Sequence, residues 1–96
     1  MLQGLMMNRI RRAQIRALAA LDPPVSLSGG VALANLVWRV EHEPAAPLKW
    51  WEQYELDTAL WANRERLVGA GGELPSSRPK RENYKPITFG SQTRLF

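Results

Sequence analysis

Hydrophobic residues recur at the spacing of an α-helix in three stretches of the chain, at about residues 3–21, 30–43 and 47–68. Proline and glycine separate these stretches and mark turns between them. The turn residues are Asp22-Pro23-Pro24, Ser28-Gly29-Gly30, Pro44, Pro47 and the glycines within 69–72.

The C-terminal residues, 70–96, contain Pro75, Pro79 and Pro86 and lack a helical repeat. Proline removes a backbone donor and disfavours helix at the residue before it, so this part is predicted to be extended, with a short strand near 87–89 as an option. The predicted fold is mainly α: a small body of about three helices at residues 1–69, followed by an extended basic C-terminal arm at residues 70–96.

The first predicted helix is amphipathic. Its apolar side is predicted to consist of Met6, Ile10, Ala13, Ala17 and Leu21. A second side carries a stripe of three arginines, Arg9, Arg12 and Arg16.

The second predicted helix has Ser28 as its candidate N-cap. Its apolar face is predicted to be Leu33, Leu36, Val37 and Val40. Trp38 points nearly the opposite way, so a second surface is needed to cover it.

The third predicted helix has Pro47 at its first position and Gly69 after its end. It carries two apolar stripes instead of one. The aliphatic stripe is Leu56, Leu60 and Leu67, and the aromatic stripe is Trp50, Trp51, Tyr54, Thr58, Trp61 and Val68. The first two helices are expected to cover the aliphatic stripe, which leaves the aromatic stripe for the arm or for another protein.

Composition limits the possible functions. The chain has 96 residues, no cysteine and one histidine, His42, which excludes disulfides, cysteine-ligated zinc and thiol nucleophiles. Lys and Arg number 13 against 9 Asp and Glu, for a net charge of +4, and the basic residues concentrate at the two ends. This distribution favours an acidic or anionic partner. The longest uncharged run, 23–38, is too short and too broken to span a bilayer.

No group of residues has the spacing of a catalytic or metal site. Glu41, His42 and Glu43 are consecutive, so their side chains diverge on a helix, and a third correctly spaced metal ligand is lacking. Ser28-Gly29-Gly30 is a weak candidate anion nest without a preceding strand or Walker spacing. We therefore expect no enzymatic activity, no catalytic residue, no metal or other cofactor, and no small-molecule substrate.

Two groups of residues are candidates for partner binding. Aromatic side chains are typical anchors of protein interfaces, and the candidates are Trp38, Trp50, Trp51, Tyr54, Trp61, Tyr84, Phe89 and Phe96. Basic side chains suit phosphate or acidic protein, and the candidates are Arg9, Arg12, Arg16, Arg78, Lys80, Arg81 and Lys85.

The sequence favours a non-enzymatic structural subunit that docks among several other protein subunits of a large assembly, with a virion as the preferred type. Two alternatives stay open: a nucleic-acid-binding protein that uses the N-terminal arginines and the basic tail, and a small inhibitor or adaptor of one protein target. The expected location is the cytoplasm or a virion or other large particle. A mitochondrial location is a further alternative, because the acid-free, arginine-rich start resembles a transit peptide.

Overall fold

The computed structural model describes residues 8–70 and 73–86. These residues form four α-helices and no β-strand: α1 Arg9–Ala19, α2 Leu33–His42, α3 Trp50–Ala62 and α4 Arg64–Leu67. A short 3₁₀ helix, Arg81–Asn83, lies in the described part of the arm. The prediction of a mainly helical fold is confirmed. The optional strand near 87–89 and the candidate contacts Phe89 and Phe96 lie outside the described residues.

Helix α1 begins after Asn8, whose side-chain Oδ1 accepts a hydrogen bond from the backbone N–H of Arg11 at 2.8 Å. The cap satisfies one of the backbone donors that the first turn leaves without a partner. The buried residues of the helix are Gln14, Ile15 and Leu18.

The apolar face predicted for α1 is only partly correct. Ala17 and Leu21 pack against the core, but Ile10 is 43% exposed. The buried side is rotated because the polar side chains of Arg11 and Gln14 turn inward to hydrogen-bond partners. A search for hydrophobic spacing does not register such residues.

Helix α2 begins at Leu33, later than predicted, and Ser28 is not its N-cap. The Ser28 hydroxyl instead donates to Glu55 Oε1 at 2.6 Å. Gly29 and Gly30 have φ of 68° and 77° and form a turn ahead of the helix. The predicted apolar face is confirmed, since Leu36 and Val40 are buried and Leu33 and Val37 pack beside them.

Helix α3 begins at Trp50, so the prediction that Pro47 occupies its first position is wrong. The start is set by Glu52, whose Oε1 accepts the backbone N–H of Lys49 at 2.8 Å. The predicted single helix is also interrupted at Asn63, whose side-chain Nδ2 donates to the Ala59 carbonyl at 2.8 Å. Gly69, at φ 82°, ends the helical region as predicted.

The core lies where the three longer helices meet. The aliphatic stripe is at its centre, as predicted: Leu56, Leu60 and Leu67 are 0, 1 and 2% exposed. The other buried hydrophobic residues are Ile15, Leu18, Val31, Leu36, Val40, Leu48 and Ala59. Leu74 of the arm packs against this cluster, so the arm already contacts the body near its start. In the described part of the chain, no helix is long and apolar enough to cross a membrane.

An ion pair links α2 to the start of α3. Arg39 Nη1 lies 2.7 Å from Glu52 Oε2, and both side chains are 12% exposed. Arg39 Nη2 also donates to the Pro47 carbonyl at 2.9 Å. Because the Glu52 carboxylate caps α3 with its other oxygen, this one residue sets both the start of α3 and its position against α2.

Candidate functional site

The aromatic stripe of α3 divides into covered and exposed residues. Trp50, Tyr54 and Trp61 are half-buried. Trp51 is 42% exposed, and Val68, which follows α4, is 77% exposed. The two possible covers inferred from the sequence were the arm and another protein, and the arm provides part of the cover.

Residues 73–86 of the arm contact the stripe through one of the predicted partner-binding residues, Tyr84, and one of the predicted basic residues, Arg81. The ring of Tyr84 lies 5.5 Å from the ring of Tyr54, at an interplanar angle of 65°. The guanidinium of Arg81 lies 5.1 Å from the ring centroid of Trp50. Both are favourable aromatic contacts, and both hold the arm on its own body.

A polar network centred on Asp57 ties the same part of the arm to the helices. The guanidinium of Arg11 contacts both oxygens of Asp57, at 2.5 and 3.0 Å. Tyr84 donates its hydroxyl proton to Asp57 Oδ2 at 2.6 Å. The carboxylate of Asp57 therefore joins α1, α3 and the arm, and Asp57 is only 8% exposed.

Two glutamines extend this network. Gln14 Oε1 accepts from Arg11 at 3.0 Å, and Gln14 Nε2 donates to the backbone carbonyl of Glu73 at 2.9 Å. Gln53 Oε1 lies 3.5 Å from Arg11 Nη2. Within the described residues, no buried side-chain nitrogen or oxygen lacks a hydrogen-bond partner. A network that is fully satisfied in this way rigidifies the structure around it.

The network holds the phenol of Tyr84 in its neutral form. Burial raises the pKa of Tyr84 well above its ordinary value, and the hydrogen bond to the Asp57 carboxylate raises it further. A phenol is already protonated near neutral pH at its ordinary pKa of about 10, and the raised pKa of Tyr84 extends its role as a hydrogen-bond donor to more alkaline pH.

Trp38 and Trp51 are the most exposed aromatic side chains among the described residues, at 48% and 42%. Each directly precedes one member of the Arg39–Glu52 ion pair, so both tryptophans are sequence neighbours of the residues that join α2 and α3. The Trp38 ring stacks on His42 at 4.6 Å. We call Trp38 and Trp51 the exposed tryptophan pair.

A cleft of about 300 Å³ opens between the C-terminal half of α3 and the arm. Its walls include Tyr54, Thr58, Trp61, Arg64, Arg78 and Pro79. The guanidinium of Arg64 lies flat over the Trp61 ring, 3.9 Å from its centroid, and its Nη1 donates to the Trp61 carbonyl at 2.8 Å. We call this site the basic cleft.

The predicted basic residues lie mostly at the surface. Arg12 is half-buried, whereas six are exposed: Arg9, Arg16, Arg78, Lys80, Arg81 and Lys85. Arg78 lines the basic cleft, and Arg81 contacts Trp50. The structure thus brings part of the arm cluster together with the aromatic stripe.

Arg11 and Asp57 are the central residues that the sequence interpretation did not single out. Each had a signal in the sequence. Asp57 precedes Leu60 by three positions and Arg11 precedes Ile15 by four, so each lies on the same side of its helix as a core residue. A charged residue on a buried side calls for an opposite charge.

Within residues 8–70 and 73–86, no group of three or more His, Asp or Glu side chains is arranged to hold a metal ion. Comparison with known proteins adds no relative: no protein-family model, curated protein or solved structure matches this chain.

Proposed function

We propose that this protein is a non-enzymatic subunit that docks onto other proteins of a larger assembly through the exposed tryptophan pair. The observation that supports the proposal most directly is that Trp38 and Trp51 are nearly half exposed, although tryptophan is costly to leave in water. Tryptophan is also strongly enriched among the residues that dominate binding energy at protein interfaces.

The surroundings of the pair support a preformed binding surface. Both tryptophans lie beside the ion pair of Arg39 and Glu52, whose side chains are 12% exposed. Stacking on His42 restricts the Trp38 ring, and an edge contact with Trp50 at 5.8 Å restricts the Trp51 ring. Side chains that are already ordered lose less entropy on binding, so such a surface supports higher affinity.

The test is affinity purification of the tagged protein from its native cells at moderate salt, with and without nuclease. We compare the wild type with the double variant Trp38→Ala/Trp51→Ala. We expect protein partners to copurify with the wild type in fixed ratios and to be lost from the double variant, because truncating a central interface tryptophan costs about 2 kcal/mol or more.

Val68→Ala is the matched control, because Val68 is the strongly exposed member of the aromatic stripe that is not aromatic, at 77%. Circular dichroism of each variant checks that the helices are intact. Recovery of the same proteins with the double variant, at wild-type amounts, would contradict a docking role for the tryptophan pair.

Nucleic-acid binding is the second candidate function. It is favoured by the exposure of Arg9 and Arg16 on α1 and of Lys80 and Lys85 on the arm. If phosphates are bound, log K falls linearly with log salt, with a slope of about −0.7 per contacted phosphate on single strands. A titration of single-stranded DNA and RNA at several salt concentrations tests this, and the absence of binding at low salt removes the candidate.

A further inference from the structure

The end of α2 carries an acidic and aromatic surface. Trp38 and Glu41 are one helical turn apart on α2, and Glu43 follows the last helical residue. All three side chains are exposed. Within the described residues, neither Glu41 nor Glu43 forms an ion pair, because the two ion pairs there are Arg11–Asp57 and Arg39–Glu52. We call Trp38, Glu41 and Glu43 the acidic patch.

The basic cleft has the opposite charge to the acidic patch, and its walls also include aromatic and apolar side chains. Among its described wall residues none is acidic, and it includes two guanidinium groups, Arg64 and Arg78. Neither forms an ion pair within the described part of the chain. Arginine presents a planar fork that binds carboxylates with two parallel hydrogen bonds. The cleft is therefore suited to carboxylate groups that accompany an apolar side chain.

The size of the cleft is compatible with one aromatic side chain. Its volume of about 300 Å³ exceeds that of an indole ring, so the cleft can admit one. The walls contributed by Tyr54, Trp61 and Pro79 offer it apolar contact.

Within one molecule, the acidic patch lies near the start of α3, whereas Arg64 of the basic cleft follows the end of α3. Glu52 at the start of α3 is tied to Arg39, and the acidic patch lies beside this junction. Ala62, which lines the cleft next to Arg64, follows Glu52 by ten residues within α3, which corresponds to about 15 Å at a rise of 1.5 Å per residue. This separation favours a contact between the two surfaces on different copies of the chain.

Resting on the proposed docking role of Trp38, we infer that one partner of this protein is a second copy of itself, with the acidic patch of one copy seated in the basic cleft of the next. The contact joins two different surfaces, so it is heterologous and leaves one free patch and one free cleft at the ends. Repeated contacts of this kind build a ring if the rotation closes and a filament if it does not.

The arrangement of the cleft favours an acidic protein surface over a nucleic acid. Base binding in single strands depends on open aromatic faces on which successive bases stack. Here the Arg64 guanidinium already covers one face of Trp61, and the ring of Tyr54 is in edge contact with Tyr84. The exposed edges of the guanidinium groups are left for carboxylates.

The test is sedimentation velocity of the purified, nuclease-treated full chain over a hundredfold range of concentration, at about 0.1 M and 1 M salt. We expect reversible association that strengthens with concentration and weakens at least about tenfold at high salt, since the contact is a charge pairing at the surface. Two neutralising variants, Arg64→Gln/Arg78→Gln and Glu41→Gln/Glu43→Gln, should each be monomeric alone.

A mixture of these two variants is the decisive experiment. The first variant keeps its acidic patch and the second keeps its basic cleft, so an equimolar mixture should form a one-to-one complex and stop there. The matched control is Arg9→Gln/Arg16→Gln, which removes two exposed arginines of α1 and should associate like the wild type.

Four results would overturn the inference: a wild type that is monomeric throughout, equal association of the Arg64→Gln/Arg78→Gln variant, loss of association in the Arg9→Gln/Arg16→Gln control, or association that exists only before nuclease treatment. The last result would assign the cleft to nucleic acid. A monomeric wild type that still captures other proteins through Trp38 and Trp51 would leave the proposed docking function intact, so the two failures are distinguishable.

Discussion

Replacing Tyr84 with phenylalanine removes one oxygen and isolates the hydrogen bond from the Tyr84 hydroxyl to Asp57, one of the bonds between the arm and the body. The phenylalanine ring can keep the edge contact with Tyr54, so the change affects chiefly the 2.6 Å bond to Asp57 Oδ2. The carboxylate stays charged and keeps both contacts to Arg11. The variant therefore measures what this one bond contributes to stability.

The magnitude follows from the charge of the acceptor. Hydrogen bonds to charged groups contribute about 1.5–3 kcal/mol, and since Tyr84 is only half-buried we expect the lower end, about 1.5 kcal/mol. For a domain of 60–100 residues each kcal/mol changes the melting temperature by about 4–8 °C. The expected decrease for Tyr84→Phe is therefore about 6–12 °C.

The assay is thermal and urea unfolding followed by circular dichroism, with Tyr54→Phe as the matched control. Tyr54 undergoes the same chemical change in the partner ring, but its hydroxyl makes no hydrogen bond within the described residues, so its loss should stay within about 0.5 kcal/mol. A double-mutant cycle with Asp57→Asn should give a coupling energy of at least about 0.5 kcal/mol. Equal stabilities of Tyr84→Phe and Tyr54→Phe would refute the assigned role of the bond.

Four further predictions concern stability, each measured by urea unfolding. The pKa of Tyr84 is raised in the folded state, so the stability gained from its bond is complete below the unfolded pKa of about 10 and is lost as pH rises further. The free energy of unfolding of the wild type should therefore approach that of Tyr84→Phe at alkaline pH. A difference between the two that stays constant with pH would contradict this. Truncation before residue 73 should preserve helical circular dichroism yet destabilise the body by more than Tyr84→Phe, since it also removes the Glu73 carbonyl and Leu74; unchanged stability would show that the arm contributes nothing. Leu60→Ala, at a position 1% exposed, should cost about 2–5 kcal/mol, and a loss below 1 kcal/mol would argue against its central place in the core. Gly30→Ala should cost about 1–2 kcal/mol because φ is 77° and nothing lies within 4 Å of the added Cβ, whereas a neutral effect would exclude that backbone conformation.

Hydrophobic spacing was sufficient to predict the aliphatic core. Leu36 and Val40 in α2, and Leu56 and Leu60 in α3, are four residues apart and point to the same side of their helices, so the buried face could be recognised within one local segment. The start of α3 was predicted less well. Pro47 is a good first helical residue in general, but the helix begins where the Glu52 side chain meets the Lys49 backbone N–H.

The polar network could not be predicted because its members are distant in sequence. Arg11 and Asp57 are 46 positions apart, and no local pattern links them. Charged residues are usually exposed and are buried only when paired, as Arg11 and Asp57 are, so the burial of each depends on a partner that its local sequence does not show. In α1 this displaced the predicted face, because a helix side that contains an arginine and a glutamine does not look apolar in the sequence.

Contacts between residues that are distant in sequence also limit the prediction of which tryptophans bind a partner. The sequence makes all four candidate partner contacts, because a chain of 96 residues is short for so much aromatic surface. The arm reduces that excess, since residues 73–86 lie against the stripe that includes Trp50 and Trp61. What is left exposed is the pair beside the Arg39–Glu52 junction, Trp38 and Trp51. The arm's contacts with its own body reduce the strongly exposed tryptophans to Trp38 and Trp51, and Arg78 and Pro79 of the arm form one wall of the basic cleft.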